Sequence, residues 1–168
     1  MIDLEGETAI VTGAAQGFGR GIAERLGEVG CNVVIADIQM EKAETTAEEL
    51  RDDGISVEVV ECDVTDPASA EALVEATVDR FGSVEILVNN AGGSTTDHFD
   101  DLDYDTWSDG VSLNLSGPFN CTKAVAPVME EHGNGRIVNI SSMAGRNVTV
   151  HGNPAYTSSK WGLIGLSK

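Results

Sequence analysis

Five short apolar, β-rich runs recur along the chain, each separated from the next by residues with helical spacing, and this alternation restricts the fold more than any other feature. The runs are Thr8–Val11, Asn32–Ala36, Ser56–Val60, Ile86–Val88 and Arg136–Ile140. Ile22, Ala23, Leu26 and Val29 fall on one helical face, and Ala43, Ala47 and Leu50 on another. A third stripe holds Leu73, Val74, Thr77, Val78 and Phe81, opened by Asp66-Pro67, an acceptor side chain and then the proline that a first helical turn tolerates. A long helical stretch runs from about Tyr104 to Glu131, with a kink expected at Gly117-Pro118. Strands alternating with helices across short connections become parallel neighbours covered on both faces, and right-handed crossovers wind such a sheet doubly. The expected fold is therefore α/β, a doubly wound parallel sheet, in a single domain over residues 1–168.

Composition removes several classes of function. The chain carries 28 Asp and Glu against 10 Lys and Arg, a formal net charge of -18. Phosphate repulsion over the whole surface excludes nucleic acid as a partner. The balance resembles that of proteins from salt-loving organisms, and ordinary solubility through charge is the plainer account; both stay open. Aliphatic runs such as Val33–Ala36 are far too short to span a bilayer, and the acidic start, MIDLEGE, has no apolar stretch behind it. Neither a membrane span nor a secretory signal is expected, which points to the cytoplasm. Cys31, Cys62 and Cys121 are widely spaced and odd in number, as befits free buried thiols. Every Asp and Glu lies at or before Glu131, while the remainder holds Arg136, Arg146, Lys160 and Lys168. That asymmetry suits an anionic ligand, or a buried strand and helix.

Two local patterns carry chemistry. Thr12–Gly19, TGAAQGFG, follows a strand and opens a helix, with glycines at 13, 17 and 19. Such glycines allow a tight turn and let the backbone approach a pyrophosphate at the helix N-terminus. Asp37 ends the second strand 18 residues after Gly19, where an acid accepts hydrogen bonds from adenosine ribose hydroxyls. Its neighbours Ile38 and Gln39 are uncharged, as is Gln16 in the turn, so nothing adjacent balances a 2′-phosphate and NAD is favoured over NADP. Near the end, Tyr156 and Lys160 lie four apart and share a helical face. Tyrosine, with an ordinary pKa of about 10, is a poor base near neutrality, and a neighbouring ammonium favours its phenolate. Such a pair can pass a proton to and from a carbonyl or alcohol oxygen.

Thr-Gly-x-x-x-Gly-x-Gly at Thr12–Gly19, Asn-Asn-Ala-Gly at Asn89–Gly92, Asn114, Ser142 after RIVNIS, and Tyr156-x-x-x-Lys160 occur in one order. Together they resemble the short-chain dehydrogenase/reductase family, over essentially the entire chain. The resemblance implies a Rossmann-like sheet of order 3-2-1-4-5, NAD as cofactor, a small alcohol or ketone as substrate, no metal, and a homo-oligomer. It implies that Tyr156 is the general acid/base, that Lys160 supports it and holds the nicotinamide ribose, that Ser142 stabilises the substrate oxygen, and that Asn114 holds a relay water. The implied cofactor contacts are Gly13, Gln16, Gly17, Phe18, Gly19, Asp37, Ile38, Asp63, Val64, Asn90, Ala91 and Gly92, together with Tyr156 and Lys160. Ser142 and Tyr156 are 14 apart, one more than the commonest family spacing, and the loop between them can absorb it. Members are usually about half as long again, so the family's last strands are expected to be absent, leaving RIVNI as an uncovered edge. A non-catalytic dinucleotide-binding or interaction fragment is the alternative.

Other features promise less. The acids at 101, 103 and 105 superficially suggest a calcium loop, but Thr106 stands where a sharp turn needs glycine. A solvated helix start is expected instead. His98, His132 and His151 have no metal-ligand spacing, and His151 is a candidate for the edge of the substrate pocket.

Overall fold

Apolar runs of this kind fold as strands buried on both faces when helices cover them. Strand β1 (Thr8–Thr12) is buried at every position, and β2 (Asn32–Asp37), β3 (Val57–Glu61), β4 (Ile86–Asn89) and β5 (Arg136–Asn139) complete one sheet of order β3-β2-β1-β4-β5. All neighbours are parallel. This computed structural model describes residues 4–94, 98–147 and 153–168. Each strand boundary falls within one residue of its expected place. The shift at β5 places Ile140 and Ser141 just past the strand rather than in it.

Helices α1 (Gly17–Glu28), α2 (Met40–Asp52), α3 (Pro67–Phe81), α4 (Tyr104–Val111), α5 (Gly117–His132) and α6 (Pro154–Leu166) surround the sheet. Alternation along β1 divides the interior in two. Ala9 and Val11 pack with Ala23, Val33, Ile35, Ala43 and Leu50 on one side. Ile10 packs with Val34, Leu73, Leu87, Val125 and Met129 on the other. The expected starts of two helices are made by aspartates: Asp66 accepts from Ala68 N at 3.0 Å ahead of Pro67, and Asp103 accepts from Thr106 N at 2.7 Å. Hydrogen bonds from the Thr106 backbone N–H and hydroxyl hold the Asp103 carboxyl below the usual carboxylate range. All three cysteines are free and buried.

One expectation fails in detail. The irregularity in the long helical stretch lies upstream of Gly117-Pro118, as a π-helical turn over Ser112–Ser116. Asn114 explains it: its Nδ2 donates to Gly110 O, four residues back, at 2.9 Å and competes with the backbone for that carbonyl.

The chain leaves β1 towards β2 on one side and reaches β4 on the other, so the strand order reverses between β1 and β4. Parallel α/β sheets bind ligands in the crevice at such a point, at the carboxyl ends of the strands. Strand β5 is the sheet edge, and Ile137 and Val138 are 38% and 46% exposed, so neither face of it is covered. Apolar unpaired edges template pairing between chains. The 168-residue chain is expected to self-associate through β5, and Val138→Lys to suppress this. Light scattering at micromolar concentration checks it; a monodisperse unmodified chain would overturn it.

Candidate active site

A cleft of about 690 Å³ opens at the carboxyl ends of the strands. All of the expected site residues line it except Gly17 and Asn114. His151 lies outside the described residues.

The glycine turn is held from below. Thr12 Oγ1 donates to Val88 O at 3.4 Å and accepts from both Asn90 N and Ala91 N at 3.0 Å. Asn90 Nδ2 donates to Thr12 O at 2.9 Å and Gly13 O at 3.0 Å. Gly13 has φ +64°, and a Cβ there would lie 2.8 Å from Ala91 Cα. A Cβ on Gly19 would collide with Gly13 O. Gln16 opens α1 without capping it, and no acid sits in the first turn, so the helix presents unpaired amides and a positive dipole end beside the turn. Thr46, which sequence reasoning passed over, donates to Ala15 O at 2.9 Å and anchors the turn to α2. A threonine on the same helical face as Ala43, Ala47 and Leu50 was the available signal.

Asp37 is buried, and its carboxylate bridges two elements: Oδ2 accepts from Ala15 N at 3.0 Å and Oδ1 from Gln39 N at 2.9 Å. Each oxygen keeps a lone pair. Ile38 and Gln39 add no charge, as expected, but the fold supplies a nearby cation from further along the chain. Lys42 Nζ donates to Gln39 Oε1 at 2.7 Å and to Gln16 Oε1 at 3.4 Å. Beyond β3, Asp63 accepts from Thr65 N and Thr65 Oγ1 at 2.9 and 2.7 Å. Val64 is pressed against Gly117, and Asn120 Nδ2 holds its carbonyl at 3.0 Å.

On the far side of the cleft, Asn153 caps α6 by accepting from Tyr156 N at 3.0 Å, and Pro154 occupies the first turn. Tyr156 and Lys160 do share a face: the Lys160 ammonium lies 5.5 Å from the centre of the Tyr156 ring. Lys160 is only 4% exposed and donates to Ile140 O at 2.8 Å. Burial pushes its pKa below the ordinary value. Ser142 starts a short 3₁₀ turn, Met143–Gly145, and its Oγ accepts from Ala144 N at 3.2 Å. That turn is clamped to α6, because Ser141 Oγ donates to Lys160 O at 3.1 Å and a Cβ on Gly145 would lie 2.6 Å from the same carbonyl. Asn114 is fully buried behind the cleft. Its amide donates to Gly93 O at 2.9 Å as well as to Gly110 O, and its Oδ1 accepts from Gly93 N at 3.2 Å. A smaller hollow of about 470 Å³ adjoins Tyr156 and is walled by Thr106, Asp109 and Gly110 of α4.

The family profile for short chain dehydrogenases matches residues 7–168. The chain is 40% identical over 168 residues to oxidoreductase UcpA of Escherichia coli (strain K12), covering 100% of this chain and 64% of that one. It is 41% identical to trans-4-hydroxycyclohexanecarboxylate dehydrogenase of Sinomonas cyclohexanicum, covering 96% and 64%. Among solved structures, a variant of actinorhodin polyketide ketoreductase crystallised with NADPH superposes with TM-score 0.91 at 42% identity, over 95% of this chain and 62% of that one. The chain belongs to the short chain dehydrogenase family. It spans less than two thirds of the length of these relatives.

Thr12 ties both halves of the cleft floor together. Thr12→Val would leave two amides without their acceptor, and a buried unpaired donor costs about 1–3 kcal/mol. A loss of about 2 kcal/mol or more is expected in urea unfolding; a neutral effect would show that the β1–β4 junction does not depend on this hydroxyl.

Proposed function

We propose that this chain binds NAD(H) and exchanges a proton at the oxygen of a secondary alcohol or ketone, as part of an oxidoreductase. The observation that carries this reading is that Ser142, Tyr156 and Lys160 line the same cleft as the glycine turn and Asp37. The residues present fit a dinucleotide: the turn is packed against Ala91 and Asn90 so tightly that only glycine fits at 13 and 19, the α1 N-terminus favours a pyrophosphate, and a buried carboxylate stands beside it. Gly13, Gly19 and the first turn of α1 would hold the pyrophosphate, with Gln16, Gly17 and Phe18 around it. Asp37 and Ile38 would take the adenosine ribose, Asp63 and Val64 the adenine, and Asn90, Ala91, Gly92 and Lys160 the nicotinamide side. When bound, the nicotinamide supplies the hydride acceptor or donor. The buried, negative Asp37 disfavours a 2′-phosphate, which supports NAD as the preferred form.

The proton chemistry belongs to the chain's own groups. Tyr156 gives or takes the proton at the substrate oxygen, and the ammonium beside its ring stabilises the negative charge left on the phenol oxygen. Ser142 Oγ already accepts from Ala144 N, so its O–H is the part left to donate to the substrate oxygen. Asn114 spends both amide protons on Gly93 and Gly110, holding the Gly92–Gly93 segment against Lys160. A relay water would have to use the second lone pair of its Oδ1. The hollow beside α4 is the place for the rest of the substrate.

Tyr156→Phe preserves ring packing and removes the proton. Turnover should fall by about 10²–10⁴-fold while NAD affinity, read by calorimetric titration, stays unchanged; retention of most activity would overturn the assignment. Lys160→Met should abolish turnover as well, yet raise the melting temperature. The folded-state pKa of Lys160 lies below its unfolded value, so stability is lower at neutral pH and recovers as pH climbs towards 10.5. The stability gain of the Met variant should therefore shrink at alkaline pH. A variant less stable than the parent at pH 7 would show that the ammonium is needed for folding.

A further inference from the structure

Two of the three buried thiols meet. Cys62 follows β3, and its Sγ lies 3.9 Å from Ser69 O in the first turn of α3. Cys121 lies on the buried face of α5. The two thiols hydrogen-bond each other in the core that also holds Val64, Leu73 and Val125. Cys31 stands in the core on the opposite side of the sheet. The pair is asymmetric. Cys62 lines the cleft, one residue before Asp63, and Cys121 sits behind it. The hydrogen bond from Cys121 holds the Cys62 thiol below its ordinary value against the effect of burial, while the same bond and burial push Cys121 up. The thiol beside the ligand is therefore the one better able to become a thiolate, the reactive form, and a second thiol already touches it.

We infer that Cys62 and Cys121 form a reversible disulfide under peroxide, and that this bond disturbs the adenine end of the cleft. The inference rests on the dinucleotide reading for its ligand, though not for its chemistry. Cys62 Sγ attacks one peroxide oxygen, the O–O bond breaks, and a sulfenic acid and one water result. Cys121 Sγ then attacks the Cys62 sulfur, and the sulfenic oxygen leaves as a second water. Peroxide takes the two electrons, and both thiol hydrogens end in water. A covalent S–S bond is shorter than any contact between two thiols, so the segment after β3 has to close on α5. Val64 cannot follow, because it already abuts Gly117, and Asn120 Nδ2 already ties Val64 O and Thr65 O at 3.0 and 3.4 Å. The movement therefore falls on Asp63, between Cys62 and Val64.

The test treats the reduced protein with hydrogen peroxide and maps its peptides without reduction. A Cys62–Cys121 cross-link within one chain is expected, lighter than the dithiol by the two thiol hydrogens, with Cys31 still free. The cross-linked protein should bind NAD about ten-fold more weakly. Dithiothreitol should restore the affinity, which separates the disulfide from methionine oxidation. Saturating NAD, by covering Cys62, should slow the cross-link. Cys121→Ser should bind NAD normally and form no cross-link; the peptide map of the unmodified protein decides the bond whether or not this variant folds. No cross-link, a cross-link through Cys31 instead, or a Cys62–Cys121 bond that leaves NAD affinity unchanged would overturn the inference. Reduced protein that binds no NAD would overturn the dinucleotide reading and the coupling to the cleft, and the map would still decide the thiol chemistry.

Discussion

The junction between the ends of β1 and β4 is the constraint on which the rest depends. A turn as tight as Thr12–Gly19 exposes backbone groups that must be paired without filling the space above them. The Thr12 hydroxyl and the Asn90 amide do this from below, joining the two strands at the point where the strand order reverses. Because the partners lie underneath, the upper side of the turn stays open to a ligand. Asp37 repeats the device one strand further out, fastening Ala15 and Gln39 with one carboxylate.

Much of this was legible in the sequence. Apolar period and short connections yielded all five strands, and Asp66-Pro67 marked the start of α3 because side-chain capping is a local interaction. What escaped was non-local or competitive. The π turn at Ser112–Ser116 arises because Asn114 takes a carbonyl that the helix would use, which no periodicity displays. Lys42 reaches Gln16 across 26 positions and was invisible to a search of the residues adjoining Asp37. Thr46 and Gly145 meet main-chain carbonyls, Ala15 O and Lys160 O, from distant parts of the chain, and a residue type says little about such contacts.

The site also carries a local conflict between stability and chemistry. Lys160 is buried against the Ile140 carbonyl with no carboxylate pairing it among the described ion pairs. An ammonium in that position is disfavoured by desolvation. The surrounding clamp of Ser141, Gly145 and α6 holds it in place, as the proposed role beside Tyr156 would require.

The π turn sets the phase of everything after it. One residue advances an α-helix by about 100°, so the extra residue it accommodates lets Leu113 meet the cleft while Cys121, Val125 and Met129 still meet the core. Removing a single residue between Ser112 and Ser116 would swing α5 by more than a quarter turn and bring its charged face towards the sheet. The segment therefore acts as a reading frame in three dimensions: Asn114 fixes its irregular hydrogen bonding, and its length fixes the phase of α5.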